Sequence, residues 1–378
     1  MKLVYCHCSL YNPGGMERVL LNKVKWLVHA GHEVVVVTTD QQERAPFYQF
    51  PDGVRMYDLG INYSFDNDKP LYRRIPSYLR KRHLHRARLA ELLMLERPDI
   101  TISLYPSESS FIPSINDGSK KVLELHFNRY FRLQYGRKGL TGLIDRWRSN
   151  VDEKIARSFD SFVVLTEEDK KYWGDIPNIS VIANTALFMP LKSDCTSKRV
   201  IAVGRLDFQK GFDRLIDIWE VVKKSPLSEG WRLDIFGQGE WRDKLNGMIE
   251  EKGLSDSVAV NAPTGEIGKE YAASSILAMT SNYEGFPMVM IEAMSAGLPV
   301  VTYGYKCGPQ DIITQGVDGI ILNEGQICSF ADALLQLMSN DALRRKIGAA
   351  ATRVVERYSE EKVMGQWMSL FENITRNE

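Results

Sequence analysis

Two glutamates eight positions apart, Glu284 and Glu292, frame the segment Glu-Gly-Phe-Pro-Met-Val-Met-Ile-Glu. A Gly-Phe-Pro turn follows the first acid, and an apolar run carries the second. The apolar Ile276-Leu277-Ala278-Met279 stands just upstream, so the stretch reads as strand, loop, helix. A helix start offers backbone N–H groups without intrahelical partners and the positive end of a dipole. Beside two carboxylates, that combination suits a phosphate flanked by hydroxyl-bearing sugars. The N–H groups hold the anion, and the carboxylates accept hydrogen bonds from vicinal hydroxyls.

Two further groups stand at strand ends in the same half of the chain. Arg205 and Lys210 lie in Gly-Arg-Leu-Asp-Phe-Gln-Lys-Gly, just after a strand expected over 200–203. They place two cations on one loop, where a diphosphate would need them. Gly237-Gln238-Gly239 follows a strand expected over 231–236, and its glycines allow close approach of backbone to ligand. In open α/β sheets, ligands bind beyond the carboxyl ends of the strands. Each group alone is an ordinary turn; the three together point to a nucleotide-diphosphate site.

The elements that must position these groups follow from periodicity. A strand over 2–9 leads through the turn Tyr11-Asn12-Pro13-Gly14-Gly15 into a helix over 17–29, with Val19, Leu20, Val24, Leu27 and Val28 at helical spacing and Gly31 as its stop. The strand over 33–39 has a continuous apolar centre, the mark of a parallel strand covered on both faces. Strand–helix–strand with short links is a right-handed βαβ unit. More buried strands are expected over 100–104, 121–125, 161–165 and 179–183, and Thr166 with Asp169 three residues on reads as a helix cap. After Pro190 and a polar linker over 192–199 the pattern restarts, with strands over 200–203, 231–236, 258–261, 276–280 and 299–302 and a helix over 212–224. The fold class is α/β, in two successive domains over 1–190 and 191–359. A last helix from about 360, carrying Val363, Trp367, Leu370, Phe371 and Ile374, has no strand after it and is expected to pack back onto the first domain.

Composition sets broad limits. The 378 residues balance 48 Lys and Arg against 48 Asp and Glu, so attraction of the whole protein to a polyanion is not indicated. The balance conceals an asymmetry: residues 1–190 hold 27 basic and 22 acidic side chains, the remainder 21 and 26. Cys6, Cys8, Cys195, Cys307 and Cys328 are odd in number and scattered, which speaks against a disulfide framework or a zinc site. No apolar run approaches a bilayer-spanning length and no leader is visible, so a cytoplasmic location is the expectation.

These segments together resemble the retaining glycosyltransferases of the GT-B fold, family 4 (glycosyl transferases group 1). The Glu-x7-Glu motif reads Glu284 to Glu292, and the Gly-Arg-Leu-x-x-x-Lys-Gly segment reads Gly204 to Gly211. The N-terminal Gly-Gly-x-Glu loop reads Gly14-Gly15-Met16-Glu17, and Gly308-Pro309 leads to Ile312-Ile313. The resemblance covers essentially the whole chain. It implies two Rossmann-like domains facing each other across a cleft, with acceptor on the first and nucleotide-sugar on the second. By resemblance, Arg205, Lys210 and the backbone N–H of Gly15 would hold the donor diphosphate, and Glu292 the ribose. Glu284 would contact the transferred sugar near its reacting carbon, and Gly285, Phe286, Pro287 and Met288 would line that sugar. His126 falls where many members place a histidine near the donor sugar; a satisfied structural histidine is the other reading. Asp311 departs from the glutamate commoner at its position.

The activity so implied is transfer of a hexose-type sugar from a nucleotide-diphosphate sugar, UDP-linked before GDP-linked, to a glycan or lipid-linked acceptor. The setting would be synthesis of bacterial surface polysaccharide or lipopolysaccharide. No cofactor or metal is expected, because fixed cations can take a metal's place in stabilising the leaving diphosphate. Front-face attack and a covalent route through Glu284 both give retention. A nucleotide-sugar hydrolase or epimerase of the same fold, and a non-catalytic nucleotide-sugar-binding subunit, are the alternatives. Asp66-Asn67-Asp68 mimics a metal-binding Asp-x-Asp but sits in a polar loop, and Asp40 mimics a dinucleotide-fold ribose acid without the glycine fingerprint. The segment from Tyr72 to Arg88 carries seven arginines and lysines and no acid. It reads either as a solvated face or as a surface for anionic headgroups, placing the protein on the inner face of the cytoplasmic membrane. Arg129, Arg132, Arg137, Lys138, Arg146 and Arg148, with Tyr130, Phe131, Tyr135 and Trp147, would extend it. No base-reading motif supports a nucleic-acid partner.

Overall fold

The computed structural model describes residues 1–12, 14–105, 107–133, 138–185 and 188–376. The chain divides into two compact units, Met1–Thr185 with Glu361–Glu378, and Ala186–Glu360.

The first unit is built on β1 (Lys2–His7), β2 (Glu33–Thr38), β3 (Arg55–Asp58), β4 (Ile100–Ser103), β5 (Lys120–Glu124), β6 (Ser161–Val164) and β7 (Ile179–Val181). They form one parallel sheet in the order β3-β2-β1-β4-β5-β6-β7. Parallel neighbours cannot be joined by tight hairpins, and α1 (Gly15–His29), α2 (Leu71–Glu96), α3 (Gly139–Arg157) and α4 (Glu167–Trp173) make most of the crossings, while β2 to β3 and β4 to β5 are joined by long loops. Val34 to Val37 are all buried, as a strand covered on both faces requires. Thr166 caps α4, accepting the Asp169 N–H at 3.0 Å.

The second unit repeats the scheme with β8 (Arg199–Val203), β9 (Arg232–Phe236), β10 (Val258–Asn261), β11 (Ile276–Met279), β12 (Val300–Tyr303) and β13 (Gly319–Leu322). Their order is β10-β9-β8-β11-β12-β13, again parallel. Helices α5 (Phe212–Lys223), α6 (Arg242–Glu251), α7 (Ile267–Ala272), α8 (Met288–Ser295), α9 (Pro309–Ile312), α10 (Ile327–Ser339), α11 (Asp341–Ala351) and α12 (Val354–Tyr358) surround it. The chain then supplies α13 (Glu360–Arg376) to the first unit, where Val363, Met364, Trp367 and Phe371 share a core with Leu3, Tyr5, Leu20 and Val24.

Two strands escape the periodicity reading, β3 and β13. Both lie at sheet edges, and β3 exposes Arg55, Met56 and Asp58, so neither shows a buried apolar run. The stretch 192–199 is not a free linker. Ser193 donates to the Ser274 carbonyl, its N–H reaches Ala296 O at 2.8 Å, and Arg199 opens β8. Its polar side chains serve these bonds, which is why it read as solvent-exposed.

Candidate functional site

In the second unit the strand order reverses between β8 and β11. Helices leave those two strands in opposite directions, which opens a crevice at their carboxyl ends. The loops carrying Arg205, Lys210 and Glu284 both emerge there. Hydrogen bonds zip the two loops together: Asn282 N–H to Gln209 O at 2.8 Å, Asn282 Nδ2 to Phe208 O at 2.5 Å, and Thr280 Oγ1 to Gly211 O at 2.8 Å. Gly211 makes this possible. Its φ is +60°, and a Cβ would collide with the Thr280 carbonyl oxygen.

The side chains converge. Lys210 Nζ lies 2.6 Å from Glu284 Oε1, and both side chains are largely buried, at 13% and 7% exposure. Ser281 Oγ donates to the same oxygen at 2.8 Å. Gln209 Nε2 is 3.2 Å from Glu284 Oε2, and Gln209 Oε1 accepts from Arg205 Nη2 at 2.6 Å. The Lys210 stem crosses Gly204, where a Cβ would crowd it. Arg205 itself is exposed, with Asp207 3.5 Å from its Nε. The Gln209 amide thus links Arg205 to the carboxylate that Lys210 pairs with directly.

Glu292 is buried one turn into α8, and Tyr271 Oη on α7 donates to its Oε2 at 3.4 Å. Gly285 and Met288 are partly exposed, but the Met288 N–H is taken by Phe286 O at 3.0 Å. Phe286 is buried edge-on against Tyr358, with centroids 5.5 Å apart, and Pro287 is buried as the N-cap of α8. The glycines of Gly237-Gln238-Gly239 make close backbone contacts. A Cβ at Gly237 would strike Gly204 O, and one at Gly239 would strike Leu206 O. This packing props the Arg205 loop from behind.

In the first unit Gly15 opens α1 with open space where its side chain would be. Gly14 is the N-cap, and a Cβ there would collide with the Glu17 carboxylate, which folds back over the helix start. Burial raises the Glu17 carboxyl, opposed by a hydrogen bond from its own N–H. His126 follows β5, its Nε2 2.9 Å from Glu124 Oε1. Glu124 also pairs with Lys23 of α1; both are fully buried, and Lys23 lies 3.9 Å from the Trp367 ring centroid. Burial alone would raise the Glu124 carboxyl, but Lys23 and His126 reverse the effect and hold it at about 2. His7, at the end of β1, is pushed down to about 4 by burial, with His126 acting in the same direction.

The mimics have structural explanations. Asp66 is buried and bound by Lys69 at 2.5 Å, Lys81 at 2.8 Å and Ser77 Oγ at 2.7 Å. These partners push its carboxyl well below the usual range. Asp40 accepts the Ser64 N–H at 2.8 Å. Among the described residues no cluster of three or more His, Cys, Asp or Glu is arranged to hold a metal ion, and no helix is long and apolar enough to cross a membrane. The basic segment lies on α2, where Arg73, Arg74, Arg80, His83 and Arg86 are exposed or partly so beside Tyr72, Ile75 and Leu79. His85 is buried, Lys81 serves Asp66, and Arg88 donates to Leu59 O. Arg129 is buried against Trp173, and Arg132 pairs with Asp152 at 2.8 Å, so neither extends that face. Lys138, Arg146, Trp147 and Arg148 are exposed; Tyr135 and Arg137 lie outside the described residues.

Sequence reasoning missed Gln209, Ser281, Tyr271, Lys23 and Glu124. Two left a signal. Lys23 interrupts the apolar face of α1, and a lysine there needs a buried anion. Glu124 ends β5 and precedes His126 by two, a spacing that in extended chain puts both on one side.

Two family models match the chain: Glycosyltransferase Family 4 over residues 13–185 and Glycosyl transferases group 1 over residues 185–354. The chain belongs to these glycosyltransferases, and its architecture is GT-B. It is 36% identical over 219 residues to the amylovoran biosynthesis glycosyltransferase AmsD of Erwinia amylovora, covering 55% of this chain and 61% of that one. An uncharacterized glycosyltransferase of Haemophilus influenzae is 27% identical, over 98% of this chain and 99% of its own. The match to AmsD thus spans less than two thirds of that relative's length. The crystal structure of an S. aureus TarM mutant in complex with fondaparinux, alpha-GlcNAc-glycerol and UDP superposes with a TM-score of 0.79 at 20% identity, covering 98% of this chain and 99% of that one.

Proposed function

We propose that the chain moves a hexose-type sugar from a UDP-sugar to a glycan or lipid-linked acceptor, with retention and without metal, in surface polysaccharide or lipopolysaccharide synthesis. The observation that carries the reading is the joined set Arg205–Gln209–Glu284–Lys210 at the switch point of the second unit. UDP and an α-glycoside in the TarM complex, and amylovoran biosynthesis in the name AmsD, support the donor and pathway.

In this reading Lys210 and Arg205 stand against the diphosphate as the sugar–phosphate bond breaks and negative charge collects on the leaving oxygen. Charges already in place stabilise that transition state without reorganising. Glu284 accepts from hydroxyls of the transferred sugar, and Glu292, steadied by Tyr271, accepts from the ribose. By family resemblance Gly15 offers its N–H to the donor diphosphate, and His126, bonded to Glu124, serves as a catalytic residue. With front-face attack the leaving phosphate oxygen takes the acceptor's proton, so no protein nucleophile is needed. The exposed basic and aromatic face of α2 would hold the protein at an anionic lipid surface, where a lipid-linked acceptor resides.

A panel of UDP- and GDP-sugars screened by thermal shift, then incubated with acceptor extract with and without EDTA, tests this. Stabilisation by one donor and EDTA-insensitive transfer are expected. No stabilisation by any donor would sink the site assignment, abolition by EDTA the metal-free mechanism, and full turnover without acceptor would favour a hydrolase.

A further inference from the structure

We propose that Gln209 is a positioning residue of the donor site, holding the acid Glu284 and the cation Arg205 in register through a single amide. The inference rests on the diphosphate reading above. Arginine only donates and a carboxylate only accepts, so the amide has one orientation: its oxygen toward Arg205, its nitrogen toward Glu284. The distances are 2.6 Å and 3.2 Å, and the same nitrogen lies 3.2 Å from Tyr283 O. The backbone of Gln209 is itself pinned, its carbonyl accepting the Asn282 N–H at 2.8 Å.

The arrangement has a consequence for donor binding. Lys210 and Ser281 both address Glu284 Oε1, while Gln209 addresses Oε2. A diphosphate competes for Lys210. As the ammonium turns toward phosphate, Ser281 and Gln209 keep the carboxylate placed for the sugar hydroxyls. The same amide ties down one end of the Arg205 guanidinium, whose side chain is otherwise 70% exposed. No other side chain of this length does both: glutamate would set two carboxylates together, lysine would face Arg205, and methionine would hold neither.

Gln209 is only partly buried, so its variants are expected to fold with unchanged melting temperature. Gln209→Met and Gln209→Glu are compared with wild type by calorimetric titration with UDP and GDP and by nucleotide release from the sugar panel. Gln209→Met should keep nucleotide affinity within about threefold while turnover falls roughly tenfold or more, since Lys210 still meets the diphosphate but Glu284 is held by Ser281 at one oxygen only, its Oε2 released. Gln209→Glu should also weaken nucleotide binding, by about tenfold, because it adds an anion beside the phosphates and takes Arg205 for itself. Wild-type turnover in Gln209→Met, or equal loss of affinity and turnover with a lowered melting temperature, would overturn the positioning role alone. Failure of wild type to bind either nucleotide would overturn the donor reading, and this role with it.

Discussion

Replacing Glu284 with glutamine should tighten the binding of UDP while it slows transfer. The Glu284 carboxylate is the counter-ion of Lys210, at 2.6 Å and largely out of water. A diphosphate must therefore compete with an internal anion for the same ammonium. Glutamine has the same shape and still accepts a hydrogen bond from Lys210, but without its charge. The remaining bond is still charge-assisted by the ammonium, so only the attraction of the second charge is lost, on the order of 1 kcal/mol. The competition is thus relieved by about 1 kcal/mol, or roughly fivefold in UDP affinity. UDP lacks the sugar, so it forfeits no contact with Glu284. A UDP-sugar does forfeit one, and its turnover should fall. Isothermal titration of wild type and Glu284→Gln with UDP measures the effect, and moderate salt should reduce it little because the pair is shielded from solvent. Unchanged or weaker UDP binding would refute the idea that Glu284 restrains Lys210.

Glu292→Ala should weaken UDP by about 1–3 kcal/mol and leave inorganic pyrophosphate unaffected; equal losses for both would remove Glu292 from the ribose. Lys23→Met leaves the Glu124 carboxylate buried without its cation and should destabilise the first unit by about 3–5 kcal/mol, whereas Lys23→Met with Glu124→Leu should recover most of that in urea unfolding. His7 and His85 are both held down at about 4 by burial. Between that value and the ordinary histidine range near 6.5 the unfolded chain binds more protons, so stability is complete above about pH 6.5 and declines toward pH 4, by up to about 3 kcal/mol per histidine. Urea midpoints at pH 7 and 5 should show the decline, and His85→Gln should flatten it; a pH-independent midpoint would contradict it. Reversing Arg73, Arg74 and Arg80 to glutamate should abolish co-sedimentation with anionic vesicles, and retention of binding would assign that face to solvent alone.

Much of the fold was legible because buried parallel strands announce themselves. Glu33 to Thr38 carries an unbroken β-branched run, and the five strands expected in the second half all form within a residue or two of their predicted ends. The convergence of Arg205, Lys210 and Glu284 at strand ends was legible as well, since both loops follow buried strands of one sheet. The edge strands β3 and β13 were not, because half-exposed strands lose the apolar pattern.

What the residues alone left open was mutual arrangement. That Lys210 pairs with Glu284, that Gln209 joins that acid to Arg205, and that Gly237 abuts Gly204 are facts about residues apart in the chain. The same holds for α13, whose Trp367 covers Lys23 from the far end of the sequence. A side chain's type sets what it can donate, accept or neutralise. Which partner it meets depends on the order in which parallel strands assemble, and only the assembled sheet fixes that order.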